Sequence, residues 1–429
     1  MIIQILTSFI FLLSLWLIFS EKINRGIAGM LGAILIVGLG KILHFYSEAD
    51  AIEALDFNTL GLLLGMMVLV ALLEPTGFFQ FLAVWAGRLS RGRPVLLILL
   101  LGTITTLISM FLNNVTTVVL IAPVTILICE ILGLNPNPYL LAEALLANTG
   151  GVATLVGDPP NIMVASVAGF SFNDFLIHSF PIVVIVWFTA LWLLYRLFHC
   201  DLSLIPPNAE VVLKLNPSES LDDVKTAKKV LIVLIGAIIF FFLGKDLNLS
   251  PAYVALSAAG VVLMWIHPDI PETLRRIDWS LLIFIASLFV LVGGLVASGI
   301  LDNIVTLLEK LNTIPPVIFG LLTLWLTAIL SAFIDNVPIT VSLIPIIHGL
   351  GVDGMNIQPL WWALVFGAGF GGNGTIIGSS ANIVVATLSE RTRTPITSKL
   401  WNKRGLPVML LTCGIASIIY VLAFPLFSR

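Results

Sequence analysis

The sequence predicts an all-α membrane protein with two inverted-topology repeats, in which re-entrant helical hairpins and broken helices enclose a polar chamber. Three observations support that prediction: an apolar composition, a one-sided distribution of basic residues and an internal repeat. Among the 429 residues, 59% are hydrophobic and 10% are charged, whereas a soluble domain carries roughly 25% charged residues. Several apolar runs approach the ~20 residues that a helix needs to cross a bilayer. Lipid is therefore the expected main solvent.

The first apolar run and the cysteines fit the same fold. Residues 2–19 lack the basic start and small-residue exit of a secretory signal, so we expect a membrane helix there. Cys129, Cys200 and Cys413 share no local spacing and predict no disulfide framework. No metal-ligand cluster and no pair of nucleophile and base is visible. We therefore expect no catalytic residue, metal, cofactor or nucleic-acid partner, and an enzyme is the least favoured class.

Basic residues concentrate on one side of the membrane if Pro94–Gly133 and Ile314–Gly351 are hairpins that return to the side they enter. With the other helices alternating in direction, that side receives every Lys and Arg except Lys41, Lys245, Lys310 and Arg429. An excess of Lys and Arg marks the cytoplasmic side. We therefore predict a multi-pass protein of the cell (inner) membrane, with about ten crossings and both termini outside.

Two motifs occur twice in the same order, at an offset of about 222 residues. The first, Ser-x-x-x-Asn/Asp-Asn-Val followed by Pro, spans Ser109–Pro123 and again Ser331–Pro345. The second spans Gly150–Asn161 and again Gly371–Asn382. In the charge topology the first repeat begins outside and the second inside, so the two are inverted. Inverted repeats with broken helices are typical of secondary transporters, whose binding sites lie near the bilayer midplane.

The motifs contain polar interruptions of apolar segments at Asn113–Thr117, Asn148–Asn161, Asp335–Thr340 and Gly371–Asn382. An unpaired backbone group in hydrocarbon costs several kcal/mol, so such breaks survive only where they line protein or a water-filled cavity. Asn, Ser and Thr side chains there could replace the hydration shell of a polar solute, or could only satisfy broken helix ends. The predicted substrate-binding residues are Asn113, Asn114, Thr116, Asn161, Asn336, Thr340, Asn373, Thr375, Ser379, Ser380 and Asn382.

Each pair of breaks also contains one acidic residue, Asp158 or Asp335. An ionisable group within a membrane is costly and is by default a functional hypothesis. We predict that Asp158 and Asp335 couple transport to protons or another cation; the alternative for each is helix N-capping. Glu74, Glu130 and Glu143 lie near predicted helix ends or hairpin bases, where snorkelling or structural pairing is expected.

The motifs resemble the arsenite-permease and melanosomal P-protein group of the ion transporter superfamily. The resemblance lies in Leu112–Thr117, in Gly150–Asn161 with its Gly-Asp-Pro-Pro-Asn end, and in Gly371–Asn382. It implies elevator-type scaffold and transport domains and, among bacterial members of this length, efflux of arsenite or antimonite. The hairpin tips read Asn-Asn-Val and Asp-Asn-Val instead of the Ser-Asn-Thr of the dicarboxylate branch, which argues against a dicarboxylate substrate.

The repeat and the resemblance together divide the chain into consecutive predicted parts. In order, they are N-terminal scaffold helices (1–58), a first repeat (59–198, hairpin 94–133, broken helix 139–170), a cytoplasmic linker (199–229), scaffold helices (230–277) and a second inverted repeat (278–429, hairpin 314–351, broken helix 358–388). The linker shows no sign of a separate domain.

Energy coupling and substrate leave alternatives open. The chain has no phosphate-binding Gly-x-x-x-x-Gly-Lys-[Ser/Thr] loop, so exchange for protons is the simplest energy source for arsenite export. A transporter of the same fold for an inorganic anion such as chloride, or a sodium/proton antiporter, is the alternative. A passive channel would not need paired broken helices. The sequence leaves open whether an ATPase subunit associates and whether the chain forms a homodimer.

Overall fold

The computed structural model describes residues 2–19, 23–301, 314–352 and 355–428. Regular structure in these residues is helical, without a β-strand, which confirms the predicted all-α fold. Eight of the described helices are apolar and long enough to cross a membrane: Arg25–Leu43, Phe57–Thr76, Asn114–Leu132, Phe180–Leu197, Val224–Leu247, Trp279–Ala297, Pro316–Phe333 and Ser398–Leu422. The direction in which each one crosses stays a prediction.

The helices of the N-terminal half and the connector begin and end as follows: α1 Ile2–Phe19, α2 Arg25–Leu43, α3 Glu48–Glu53, α4 Phe57–Leu73, α5 Phe78–Ser90, α6 Pro94–Ser109, α7 Asn114–Leu132, α8 Asn137–Gly151, α9 Pro159–Ala168, α10 Phe172–His178, α11 Phe180–Leu197, α12 His199–Leu202 and α13 Ala209–Leu213. The helices of the C-terminal half that the structure describes are α14 Val224–Leu247, α15 Pro251–Ile266, α16 Ile270–Arg275, α17 Trp279–Ala297, α18 Pro316–Phe333, α19 Asn336–Val352, α20 Gln358–Gly371, α21 Ser380–Ser389, α22 Ser398–Leu422 and α23 Phe424–Phe427.

The described helices form two groups, each packed internally. In the first group, α2 packs against α1 and α17, and α15 packs against α4 and α14. In the second group, α6 and α7 pack against α8, α18 and α19 pack against α20, and α7 and α8 both pack against α21. The two groups meet where α4 contacts α9 and where α17 contacts α19. Hairpins and broken helices therefore share one side of the bundle.

Each hairpin turns at the predicted Asn-containing tip. Hairpin 1 comprises α6 and α7, and hairpin 2 comprises α18 and α19. Asn113 caps α7, because its Oδ1 accepts a hydrogen bond from Val115 N at 2.9 Å. Pro123 and its repeat equivalent Pro345 lie inside α7 and α19, where each removes one backbone hydrogen bond.

Each broken helix is interrupted by a loop that folds back closely on itself. Break 1 lies between α8 and α9, and break 2 lies between α20 and α21. A Cβ on Gly157 would lie 2.4 Å from the carbonyl oxygen of Gly151, and one on Gly378 would lie 2.7 Å from that of Gly372. These contacts are too short for any larger residue, which explains the glycines that break the helices.

Matched hydrogen bonds show that the two repeats adopt the same arrangement. Ser109 Oγ donates to Ala147 O at 2.7 Å, and its equivalent Ser331 Oγ donates to Ala368 O at 2.7 Å. Thr154 Oγ1 of break 1 likewise donates to the hairpin carbonyl of Met110. Thr375, the equivalent of Thr154, makes the corresponding bond in the second repeat. The predicted pair of repeats, each with a hairpin and a broken helix, is therefore confirmed.

Candidate functional site

Asn148, near the end of α8, is the centre of a buried network that joins the two repeats. Its Oδ1 accepts hydrogen bonds from Asn114 Nδ2 at 3.0 Å and from Ser379 Oγ at 2.9 Å. Its Nδ2 donates to Asn373 Oδ1 at 3.0 Å and to Asn382 Oδ1 at 2.9 Å. One amide therefore connects the tip of hairpin 1 to break 2.

Asn161 and Asn382 brace the loops of the two breaks in equivalent ways. Asn161 Nδ2 donates to the carbonyl oxygens of Gly151 and Thr154, at 2.8 and 2.7 Å. Asn382 Nδ2 makes the corresponding bonds in break 2, at 2.7 and 2.9 Å. A helix end leaves carbonyl groups without helical partners, and these amides satisfy them. Their donors are occupied, whereas Asn161 Oδ1 makes no hydrogen bond to the residues that the structure describes.

Asp158 immediately precedes α9 but makes no capping hydrogen bond, so the capping alternative does not apply to it. Its Oδ2 instead accepts a hydrogen bond from Asn336 Nδ2, at the tip of hairpin 2, at 2.7 Å. Both side chains are buried. None of the salt bridges in the described part of the chain involves Asp158. Among the residues that the structure describes, this carboxyl group therefore has a neutral hydrogen-bond partner and no counter-ion.

Asp335 is held by a charged partner. Its Oδ2 accepts a hydrogen bond from Ser380 Oγ at 2.5 Å and lies 3.5 Å from Arg25 Nη1. Arg25 Nη1 also donates to Ser380 Oγ at 2.6 Å, and the guanidinium lies 5.5 Å from the ring centroid of Phe284. Because Arg25 begins α2, this cluster ties hairpin 2 and break 2 to the N-terminal helices.

The remaining predicted ligands have smaller parts in the network. Thr340 Oγ1 donates to Asn336 O at 2.8 Å, and Thr375 Oγ1 donates to Ala332 O. Both hydroxyl groups therefore bond to the backbone of their own repeat. Thr116 makes no side-chain hydrogen bond to the described residues and lines a cavity instead.

That cavity, of about 80 Å³, lies beside the tip of hairpin 1. Asn113 and Thr116 of hairpin 1, Pro159 of α9 and Arg25 of α2 are among its lining residues, so it lies between α2 and the first repeat. A larger cavity of about 600 Å³ has Phe45, Tyr46 and Pro345 in its wall but none of the predicted ligands. The smaller cavity is therefore the better candidate for the solute site, because predicted ligands line it.

The structure brings the predicted residues together in hydrogen-bonded groups, and it adds two that the sequence analysis does not assign. Asn148 lies at the start of a predicted break, and its equivalent in the second repeat is Gly369. A polar residue in one copy and glycine in the other could have indicated a special role for Asn148. Arg25 counts only as a cytoplasmic charge in the sequence analysis, because nothing in the sequence relates it to Asp335. Among the described residues, no group of three His, Cys, Asp or Glu side chains could hold a metal ion.

We expect the Arg25–Asp335 pair to contribute more to stability than a surface ion pair. The two side chains are 26% and 20% exposed, whereas those of the Lys41–Glu48 pair are 54% and 70% exposed. Exposed pairs contribute about 0.2–1 kcal/mol. In a double-mutant cycle of Arg25→Gln and Asp335→Asn, thermal unfolding of the purified protein should give a coupling free energy above that range. The control cycle, Lys41→Gln with Glu48→Gln, should fall within it, and equal values would contradict this prediction.

The tips of the two helical hairpins contact the broken helices, and both lie within a bundle of long apolar helices. This arrangement defines a multi-pass membrane transporter. Sequence comparison specifies the family. The family described as "Citrate transporter" matches residues 15–367. The chain belongs to this citrate transporter family.

Curated relatives share the whole length of the chain. The 46 kDa membrane protein of Mycobacterium leprae is 37% identical over an alignment of 415 positions, which covers 95% of this chain and 96% of the relative. The human P protein is 32% identical over an alignment of 481 positions, gaps included, which covers 93% of this chain and 57% of the P protein. The relation to the P protein confirms that part of the predicted resemblance.

A solved structure is similar in fold. The crystal structure of the YdaH transporter of Alcanivorax borkumensis, whose topology is described as unusual, matches with a TM-score of 0.55 at 15% identity. The match covers 94% of this chain and 99% of the YdaH chain. At that identity the similarity concerns the fold alone.

Proposed function

We propose that this chain is a proton-coupled secondary active transporter of a small, polar inorganic solute, with arsenite or antimonite as the leading candidates. The observation that carries the proposal is the buried amide network centred on Asn148, which draws on both repeats. Neutral amide and hydroxyl groups suit a small triol such as As(OH)3, the main form of arsenite at neutral pH. Export from the cell, by an elevator-like movement of the hairpins and broken helices, is part of the same proposal.

The charge of the site argues against citrate, although the family description names it. A tricarboxylate is best bound by several cationic partners. Arg25 and Arg276 are the basic residues that line the cavity, and Asp335 and Glu272 already balance their charges. Tight capture of arsenic by thiolates is not part of the proposal either, because Cys129 and Cys413 are buried outside the network and Cys200 is exposed.

Asp158 is the carboxyl group that best suits proton coupling. It is buried, its hydrogen-bond donor is the neutral Asn336, and it sits beside the tip of the opposite hairpin. A carboxylate without a counter-ion is poorly stabilised away from water, so solute entry and proton exchange would influence each other there. Asp335, which the sequence analysis pairs with Asp158 in this role, would act mainly through its contact with Arg25.

A second candidate function is transport of an inorganic anion such as chloride. Arg25 supports it, because a guanidinium group beside the cavity would attract an anion if Asp335 moved away. Sodium/proton exchange, the other alternative, would instead use carboxylate oxygens as cation ligands.

Transport into proteoliposomes tests these candidates. The full-length chain is reconstituted, a pH gradient is imposed, and arsenite, antimonite, chloride, citrate and sodium are offered separately. We expect arsenite or antimonite to accumulate and the accumulation to vanish when a protonophore collapses the gradient; protein-free liposomes are the control. Gradient-driven chloride accumulation without arsenite transport would favour the second candidate, and a sodium-driven pH change would favour exchange. Citrate accumulation would contradict the proposal.

A further inference from the structure

A buried acid that the proposed mechanism does not use lies in the middle of α8. Glu143 is 0% exposed, and all the residues of α8 are buried around it. Its Oε1 accepts a hydrogen bond from Thr125 Oγ1 of α7 at 2.5 Å. Its Oε2 is buried and has no hydrogen-bond partner among the described residues. Of the two roles expected for Glu143, snorkelling is therefore wrong because the side chain is fully buried, and the bond to Thr125 is a structural pairing.

The surroundings of Glu143 provide no counter-ion. Of the elements packed against α8, the helices α6, α20 and α21 carry no ionisable side chain. The ionisable residues of the others, α7, α11 and α22, are Cys129, Glu130, Tyr195, Arg196, Lys399, Lys403, Arg404, Cys413 and Tyr420. None of the described basic side chains forms a salt bridge with Glu143. An ionised carboxylate in such a place is strongly disfavoured unless it is paired and hydrogen-bonded.

The Thr125–Glu143 bond is one of two side-chain bonds that hold α7 against α8. The other joins Asn114 to Asn148, at the tip of hairpin 1 and the centre of the amide network. Along α8, Glu143 and Asn148 are five residues apart, which corresponds to about 7.5 Å. The same two helices are therefore joined once at the amide network and once at an acid.

Hairpin 1 is attached to α8 differently along its two arms. The arm α6 meets α8 at Gly150, where an added Cβ would lie only 2.6 Å from Thr106 O. Side chains supply the bonds between α7 and α8, and Pro123 weakens α7 two residues before Thr125 by removing a backbone hydrogen bond. The arm α7 is therefore the one that can shift on α8.

The second repeat shows that the fold does not require this polar pair. The residues equivalent to Thr125 and Glu143 are Ile347 and Leu364, at the repeat offsets. Both are buried, and α19 packs against α20 as α7 packs against α8. Two apolar side chains thus fill the same place in a repeat of the same architecture. A purely structural role does not explain a buried acid in one copy only.

We propose that Glu143 is a proton-binding site, and that its protonation controls the packing of α7 on α8 and thereby the tip of hairpin 1. With a proton from bulk water on Oε2, the neutral acid remains in the apolar seam while Thr125 donates to Oε1. When the proton returns to water, the carboxylate requires solvent and α7 separates from α8 near Pro123. The inference rests on the proposed proton coupling for its link to transport, but its test needs no solute.

Two measurements on the full-length chain in lipid nanodiscs test the protonation and its effect on packing. Infrared difference spectra between neutral and alkaline pH should contain the carbonyl band of a protonated carboxylic acid. We expect Glu143→Gln to remove part of that band, and Asp158→Asn to leave the Glu143 part in place. A band of equal intensity in the parent and in Glu143→Gln would overturn the proposal.

The packing of α7 is measured by hydrogen–deuterium exchange, corrected for the intrinsic effect of pH. In the parent we expect exchange in α7 to rise at least about 10-fold between neutral and alkaline pH, as expected for an opening linked to proton release. The double variant Thr125→Ile/Glu143→Leu copies the second repeat, so it should fold normally and show no such rise. Equal pH dependence of α7 in the parent and the double variant would overturn the proposal, whatever solute the protein transports.

Discussion

Replacing Asp158 by Asn is expected to abolish solute accumulation driven by a pH gradient while leaving solute exchange intact. An amide oxygen can accept the hydrogen bond from Asn336 Nδ2 that Asp158 Oδ2 accepts now, so the geometry of the contact is retained. The substitution therefore removes only the ionisable group of Asp158. One proton moved through a difference of about 100 mV, or an equivalent pH gradient, provides ~2.3 kcal/mol. That free energy supports a roughly 50-fold ratio between the solute concentrations on the two sides of the membrane. The variant should not build up this ratio.

The measurement compares gradient-driven uptake with exchange at equal pH in proteoliposomes. Asp174→Asn is a matched control, because Asp174 is a carboxylate of a capping box at the start of α10, outside the site. That control should accumulate solute like the parent. If Asp158→Asn still accumulates solute in response to pH, Asp158 is not the coupling residue.

Asn148→Asp is expected to destabilise the protein strongly. The substitution keeps the acceptor for Asn114 and Ser379 but removes the donor to Asn373 Oδ1 and Asn382 Oδ1. Those two buried oxygens would then face a carboxylate. Each unsatisfied buried acceptor costs about 1–3 kcal/mol, so the free energy of unfolding should fall by about 2–6 kcal/mol, with further loss from charge repulsion.

Thermal unfolding of the purified protein in detergent measures the effect. Asn58→Asp is the control, since Asn58 is exposed near the start of α4 and its side chain takes no part in the network. That change should stay within about 0.5 kcal/mol of the parent. Equal unfolding temperatures for Asn148→Asp and the control would mean that the amide network contributes little to the fold.

The sequence predicts the architecture well because it contains two copies of each feature. The hairpin tips at Asn114 and Asn336 and the breaks that end at Asn161 and Asn382 can be aligned with each other, so each copy supports the interpretation of the other. Glycine and proline then locate the breaks, because few other residues fit such backbone. Local chemistry and repetition together are sufficient for this level of structure.

The site is less predictable, because its contacts join distant parts of the chain. Residue type cannot show that Asn161 bonds to backbone carbonyl groups while Asn148 holds four side chains. The two acids look equivalent in the alignment, yet Asp158 meets a neutral amide and Asp335 meets Arg25. Which partner each carboxyl group finds depends on tertiary packing, and a single sequence carries no record of it.

The hydrogen bonds that cross between the repeats also limit how the protein can be divided. Asn336 finds its partner in the first half of the chain, and Asn148 finds three of its partners in the second. A polypeptide cut within the connector would leave each fragment with half of every such contact, and with polar groups exposed to lipid. We therefore expect each half to fold properly only in the presence of the other, and one continuous chain guarantees that the two are made in equal numbers.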